Sequence, residues 1–345
     1  MRVLLTGATG VLGSEVGPRL RAAGVEVVAV SARGAPAAGV LAWRMGEQRP
    51  PAGLEGPFDV VVHCAALIQW SPAPQEAWRG NVGPAEALAA VVGPDTHVVG
   101  VSTAYGLGRP GAVDSERLDD YCNAYEWSKV AAERVLRQRF GRVTVVRCPF
   151  LVGRRSDGGI TRFHGMYTFV HGLATGLTPA LVGELEAFME IVPVDEMAAE
   201  VVQAALGPPP ERAVVVSVCG GPYALRMRQG LDISYAALDH WRAARGLAPL
   251  ERAPLIPPER WERFFFPFAR EHLSERQLRI VALLDQFRPY VTSLEPLTPT
   301  RAVKDMAPVL AKSVLAWADA HPRSAGGSPR PWLREREEDR EQVGS

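Results

Sequence analysis

Tyr125 and Lys129 stand four residues apart in Tyr125-Glu126-Trp127-Ser128-Lys129, so on a helix a phenol and an ammonium lie one above the other on the same face. With seven tyrosines and three lysines in 345 residues, chance alone places about 0.06 such pairs in the chain. The ordinary alternative is a solvated surface pair. A free tyrosine has a pKa of about 10. A cation held beside it favours the phenolate and is expected to lower that value, and a tyrosine so tuned can pass a proton to or from a carbonyl oxygen. Upstream, an apolar run ends in Val101-Ser102-Thr103-Ala104-Tyr105. That run puts a hydroxyl at the carboxyl edge of a strand, where open α/β sheets bind their ligands. Thr103 is the expected hydrogen-bonding partner of the reacting oxygen, with Ser102 as the alternate.

A second constellation lies at the start of the chain. Thr6-Gly7-Ala8-Thr9-Gly10-Val11-Leu12-Gly13 follows an apolar strand pattern and opens a helical one. The glycine spacing by itself arises by chance about 0.3 times per chain of this glycine content, so its weight comes from that context. Gly7 permits a tight turn, Gly10 lets the backbone approach a pyrophosphate, and Gly13 lets helix pack on strand, with phosphates at the helix N-terminus. The competing reading is a merely structural turn. A site preferring NAD places Asp or Glu at the end of the second strand, whereas this chain reads Ser31-Ala32-Arg33-Gly34. A hydroxyl and a guanidinium suit a 2′-phosphate, so NADP(H) is the expected cofactor. Arginine is common in this sequence, and the missing acid is the firmer half of that argument.

Groups so far apart in sequence need a scaffold to bring them together. Short β-branched runs at 2–6, 25–30, 58–63, 97–102, 143–147 and 214–218, with a weaker strand near 40–45, alternate with helical patterns at 11–23, 76–92, 124–140 and 196–206. That alternation reads as α/β, a doubly wound Rossmann-type parallel sheet. Asn123 is the expected cap of the helix carrying Tyr125, Glu126 its reciprocal partner and Gly141 its left-handed stop. Gly17 and Pro18 should weaken or kink the first helix. Past residue 221 proline, arginine and aromatics dominate, and two helices are expected at 274–286 and 301–320, the second capped by Thr300. The organisation expected is a dinucleotide-binding core at 1–153 completed by about 190–220, a smaller, mainly helical substrate lobe at 154–190 and 221–321, and a disordered tail at 322–345.

Composition excludes several classes. At 345 residues and 37.3 kDa the chain is long enough for about two domains. Its 38 Lys and Arg offset its 38 Asp and Glu, leaving no net field to recruit nucleic acid or an anionic membrane. No stretch approaches a membrane span. Glycines interrupt the apolar start before a signal sequence is complete, so a cytoplasmic location is expected. Cys64, Cys122, Cys148 and Cys219 are far apart and lack metal-ligand spacing, so neither disulfides nor a metal site are expected.

Taken together, the Thr6 to Gly13 turn, His63-Cys64-Ala65-Ala66, Asn81-Val82-Gly83, Ser102-Thr103 and Tyr125 to Lys129 resemble, in order and spacing, the extended short-chain dehydrogenase/reductases. Val101 to Tyr105, Gly108-Arg109-Pro110-Gly111, Asn123 to Lys129, Arg147 to Gly153 and Ile191-Val192-Pro193-Val194-Asp195 are most similar to the thioester reductase and fatty acyl reductase (male sterility) branch. The resemblance covers 1–220 well and the remainder weakly. It implies a nicotinamide cofactor held by Gly7, Thr9, Gly10, Val11, Leu12, Gly13, Ser31, Arg33, Ala65, Ala66, Ser102, Lys129 and Pro149. It also implies a catalytic trio of Thr103, Tyr125 and Lys129, with Asn81 supporting it and Lys129 also holding the nicotinamide ribose. Three departures stand out: Cys148 between Arg147 and Pro149, no Gly-Asp pair in the strand near 40–45, and a loosely matching loop at 154–162.

The resulting expectation is an NADPH-dependent oxidoreductase that reduces an acyl thioester to aldehyde or alcohol, or an aldehyde or ketone with an apolar chain. Phe163, His164, Met166, Tyr167, Phe169, Phe188 and Met189 give the substrate segment its apolar character, although the same side chains could form the lobe's core. His164 and His171 are read as structural. No adenylation or carrier domain fits in this length, so the expected partner is a small-molecule thioester or an acyl group on a separate carrier protein, and a homodimer is allowed. The alternatives are a nucleotide-sugar epimerase or dehydratase, a hydroxysteroid-type dehydrogenase, and, in another class, a non-catalytic NADP-sensing protein, which would need neither Tyr125 nor Lys129.

Overall fold

Runs such as Val60-Val61-Val62 and Val143-Thr144-Val145-Val146 have both faces apolar, which suits strands covered by helices on both sides. In the computed structural model they lie in one sheet. The structure describes residues 1–327 except 55, 70, 71, 107–114, 177–179, 274, 276, 277, 279, 280, 283, 284 and 286. Six strands, β1 (Arg2–Thr6), β2 (Glu26–Ser31), β3 (Val40–Ala42), β4 (Val60–His63), β5 (His97–Thr103) and β6 (Val143–Cys148), are joined by Val214–Cys219 and the edge strand Arg301–Ala302. Their order is 301–302, 214–219, β6, β5, β4, β1, β2, β3, and every pairing is parallel. This is an α/β Rossmann-type doubly wound sheet. The direction of winding reverses between β1 and β4, which places a ligand crevice at their carboxyl ends.

The chain forms two compact units. The first comprises Met1–Pro149, Val192–Cys219 and Thr298–Ala302, and contains the whole sheet. One face of the sheet, from Leu4, Val61, Val98 and Val145, packs on Val82, Ala85, Leu88, Ala131 and Leu136 of the helices at 74–90 and 124–139. Helices Gly13–Ala22 and Val194–Leu206 pack on each other in the same unit. The second comprises Phe150–Ile191, Gly220–Leu297 and residues from 303 onward. It is mainly helical, built on Met166–Thr175, Met227–Ala243 and Met306–Ala320. Glu190, 4% exposed, ties both ends of its central segment together: its carboxylate accepts from the backbone N–H of Gly220 at 2.8 Å, Gly221 at 3.1 Å and Leu297 at 3.1 Å.

Several local expectations change. The helix expected over 76–92 is broken into Pro74–Ala77, a π-helical turn at Trp78–Val82, Gly83–Ala87 and a 3₁₀ turn at Leu88–Ala90. Pro84 has no N–H for the Gly80 carbonyl, and that carbonyl accepts instead from Leu67 N–H at 3.2 Å. Asn123 does cap helix Ala124–Arg139, its Oδ1 accepting from Glu126 N–H at 2.9 Å, and the Glu126 carboxylate accepts from Cys122 N–H at 3.2 Å. Gly141 is not left-handed; the helix ends with Phe140 at φ −121°. Residues 301–302 extend the sheet instead of opening a helix, and Thr300 Oγ1 accepts from Ser217 N–H at 3.2 Å. The following helix starts at Met306 behind Asp305. Pro322–Gly326 is helical, so the expected tail is ordered there; its remainder from 328, and most of the helix expected at 274–286, lie outside the described residues. The first helix runs through Pro18, with the Glu15–Arg19 ion pair at 2.6 Å across it.

Candidate active site

The turn after β1 is built by contact distances that only glycine allows. Gly7 has φ +66°, and a Cβ there would lie 2.7 Å from Ala65 N and Cys64 C in the segment leaving β4. A Cβ on Gly13 would lie 2.2 Å from the Gly7 carbonyl oxygen, so Gly13 closes against the turn itself. Gly10 N–H donates to that same oxygen at 2.8 Å. Thr6, fully buried, shares a 2.8 Å hydrogen bond with His63 Nδ1 and accepts from Ala65 N–H at 3.3 Å, which locks the ends of β1 and β4 together. Burial, with the Lys129 ammonium second, pushes His63 down to about 3, so the ring is neutral.

Beside this turn, β5 ends at Thr103, 3% exposed, directly opposite Cys148 of β6. Tyr125, in the first turn of helix 124–139, hydrogen-bonds the Thr103 hydroxyl. One turn further, Lys129 is 6% exposed and its Nζ donates to the Val101 carbonyl of β5 at 2.8 Å. The solvated-pair alternative is therefore excluded for Lys129. The phenol differs from its expectation. Its pKa is raised rather than lowered, because burial disfavours the phenolate and Cys148 and Glu126 add to this, while the Thr103 hydrogen bond opposes it. Tyr125 is a protonated phenol at neutral pH. Burial lowers Lys129 in turn, opposed most by Glu133.

Two buried hydroxyls at the same sheet edge, Ser31 Oγ and Ser102 Oγ, have no hydrogen-bond partner among the described residues. Unsatisfied buried polar atoms are rare. Together with the glycine cradle they are the features a dinucleotide would complete, so the residues fit such a group. Comparisons with known proteins agree. Residues 53–201 match the family model described as male sterility protein, NAD-binding. That stretch of the chain is similar to a male sterility-type NAD-binding domain. No curated protein matches the sequence. Among solved structures, the fold is shared with the terminal R domain from the myxalamid PKS-NRPS biosynthetic pathway (16% identity, TM-score 0.62, 95% of this chain and 92% of that one). It is likewise shared with a thiolation-reductase di-domain from an archaeal non-ribosomal peptide synthetase (16%, 0.63, 94% and 91%) and with a UDP-galactose 4-epimerase (19%, 0.57, 93% and 99%).

Gly7, Gly10, Gly13, Ser31, Ala65, Ser102, Thr103, Tyr125, Lys129 and Pro149 all fall in the first unit, at or beside the carboxyl edge of the sheet. Val11 and Leu12 are buried, Thr9 is exposed, Ala66 follows Ala65 in the segment after β4, and Arg33 is exposed without an ion pair among the described residues. Asn81, 1% exposed, supports the trio in a definable way. Its Oδ1 accepts from Leu67 N–H at 2.9 Å, its Nδ2 donates to Ser128 Oγ at 2.8 Å, and Ser128 Oγ donates to the Tyr125 carbonyl at 2.9 Å. The 108–111 motif lies outside the described residues.

In the second unit, Met166, Tyr167, Phe188 and Met189 are at most 7% exposed and serve as core, whereas Phe163 and Phe169 are half-buried and His164 is exposed. The sequence reading missed Ser128, Glu133 and Arg147 as functional candidates. Their signal was present: Tyr125, Lys129 and Glu133 repeat every four residues, and Ser128 lies inside the quoted motif. Among the described residues, no helix is long and apolar enough to cross a membrane and no group of three or more His, Cys, Asp or Glu could hold a metal ion. The four cysteines are free thiols.

Proposed function

We propose that the protein is an NADPH-dependent reductase of a carbonyl group, with an acyl thioester as the leading substrate class. The observation that carries this reading is half-buried Tyr125 hydrogen-bonded to buried Thr103, with buried Lys129 one helical turn away, at the carboxyl edge of the sheet. The male sterility family match over 53–201 supports it. Gly7, Gly10 and Gly13 would admit the pyrophosphate and Ser31 and Arg33 the 2′-phosphate, with Ser102 and Lys129 toward the nicotinamide ribose. When bound, the cofactor supplies the hydride to the carbonyl carbon.

The chain's own residues handle the oxygen. Thr103 and Tyr125 both present hydroxyls to it, and preorganised donors stabilise the charge that develops there. The Tyr125 O–H bond breaks as the new O–H bond of the product forms, and the nearby Lys129 ammonium stabilises the phenolate left behind. A phenol held protonated by burial suits this donating direction. For a thioester the product is a hemithioacetal, which releases thiol and aldehyde; a second round on the aldehyde gives the alcohol. The substrate is a free thioester or one borne by a carrier protein.

The test follows NADPH consumption with acyl thioesters, aldehydes, ketones and nucleotide sugars in parallel. Turnover with the thioester is expected. Turnover confined to nucleotide sugars would reject the substrate class.

A further inference from the structure

We infer that Glu133, clamped by Arg147, is a positioning residue that keeps Lys129 charged inside the site, an inference that rests on the reductase reading above. Tyr125, Lys129 and Glu133 occupy successive turns on one stripe of helix Ala124–Arg139. Lys129 and Glu133 are 6% and 3% exposed. The Glu133 carboxylate accepts two-pronged hydrogen bonds from Arg147 of β6, with Nε at 3.0 Å from Oε1 and 3.2 Å from Oε2, and Nη2 at 2.6 Å from Oε2. That fork fixes the carboxylate rather than letting it swing away.

The other groups acting on Lys129 carry no charge near neutral pH. From the end of β4 come His63, neutral because burial drives it to about 3, and Cys64, a thiol pushed up to about 12 by burial. From β6 comes Cys148, also pushed up to about 12 by burial. From β5 comes the Val101 carbonyl, a dipole that accepts one of the three N–H bonds. Tyr125 is a phenol. Glu133 is thus the fixed charge that bears on the ammonium. A buried ammonium without a counter-ion tends to lose its proton, and an uncharged Lys129 could not stabilise a Tyr125 phenolate.

Because the chain has only three lysines, the test can be read directly. Protein labelled with ¹³C at lysine Cε gives three titrating NMR signals, and the exposed Lys304 and Lys312 are internal references. Glu133→Gln keeps the shape and one acceptor for Arg147. It should lower the Lys129 midpoint by about one to two pH units, while Glu133→Asp restores most of it and the two reference signals stay still. The alkaline limb of the pH–rate profile for NADPH oxidation should move in the same directions. A Lys129 midpoint that does not move in a folded Glu133→Gln overturns the inference. If that variant fails to fold, Glu133→Asp decides alone: a Lys129 midpoint lowered by the one-methylene retreat of the carboxylate supports the inference and no shift overturns it. The two levels separate cleanly, because a wild-type protein without NADPH-dependent turnover but with the predicted midpoint shifts refutes the reductase reading and not the charge pairing.

Discussion

Replacing Asn81 with alanine should damage both stability and cofactor handling, through bonds that can be counted. The side chain is 1% exposed and makes two short hydrogen bonds, accepting from Leu67 N–H at 2.9 Å and donating to Ser128 Oγ at 2.8 Å, plus a longer one to the Leu67 carbonyl at 3.4 Å. The two short bonds are worth about 1 kcal/mol each, and the Leu67 N–H keeps the Gly80 carbonyl as an acceptor at 3.2 Å. The expected loss is thus about 2 kcal/mol in urea unfolding of the first unit. Because Leu67 follows Ala65 and Ala66, and Ser128 holds the Tyr125 carbonyl, KM for NADPH should rise and kcat should fall. Asn81→Asp keeps the acceptor and loses both donors, so it should show a partial effect on KM. A stability change below about 0.5 kcal/mol, with KM unchanged, would refute the claim that Asn81 joins the loop to the catalytic helix.

Gly13→Ala puts a Cβ 2.2 Å from the Gly7 carbonyl oxygen, backbone that cannot yield cheaply, so NADPH affinity measured by fluorescence titration should fall at least about tenfold. Gly141→Ala, with nothing within 4 Å and no left-handed backbone, should leave it unchanged. Arg33→Ala should weaken NADPH about tenfold and leave NADH nearly untouched; equal loss for both sinks the 2′-phosphate role. Glu190 has its pKa raised by burial, against the three backbone hydrogen bonds that lower it. The folded state therefore holds the proton more tightly, so stability is present below the ordinary carboxylate range and falls as pH rises through the raised value. Urea midpoints taken across that window should decline in the wild type and flatten in Glu190→Gln, and parallel curves would show that Glu190 is not the group responsible.

Much of the first unit was legible because its signals are local. β1 begins and ends where the apolar run does, and β2, β4, β5 and β6 fall within two residues of their sequence patterns. A buried parallel strand needs a run of β-branched and apolar residues, and such runs are visible in the sequence itself. Asn123 declared its cap because a short polar side chain there can reach the Glu126 N–H. The break at 78–82 was not legible, since it depends on Leu67, remote in sequence, claiming the carbonyl that Pro84 leaves free. The sign of the Tyr125 shift was missed for a similar reason. Lysine spacing reports a cation one turn away, but burial is a property of the folded sheet edge, and here it is the largest cause of the upward shift. In the second unit, apolar residues at 163–189 could not reveal which would become core, because that is decided by packing partners such as Gly230, whose missing Cβ leaves room for Met189.

The central claim is that Tyr125, kept protonated by burial and backed by Lys129, donates the proton to a substrate carbonyl. Single-turnover oxidation of bound NADPH by an acyl thioester, compared between wild type and Tyr125→Phe, tests it most directly. The phenylalanine variant keeps the ring and loses only the hydroxyl, so NADPH binding should be unchanged while the rate falls by about a hundred- to ten-thousand-fold. Equal rates in the two proteins would contradict the account.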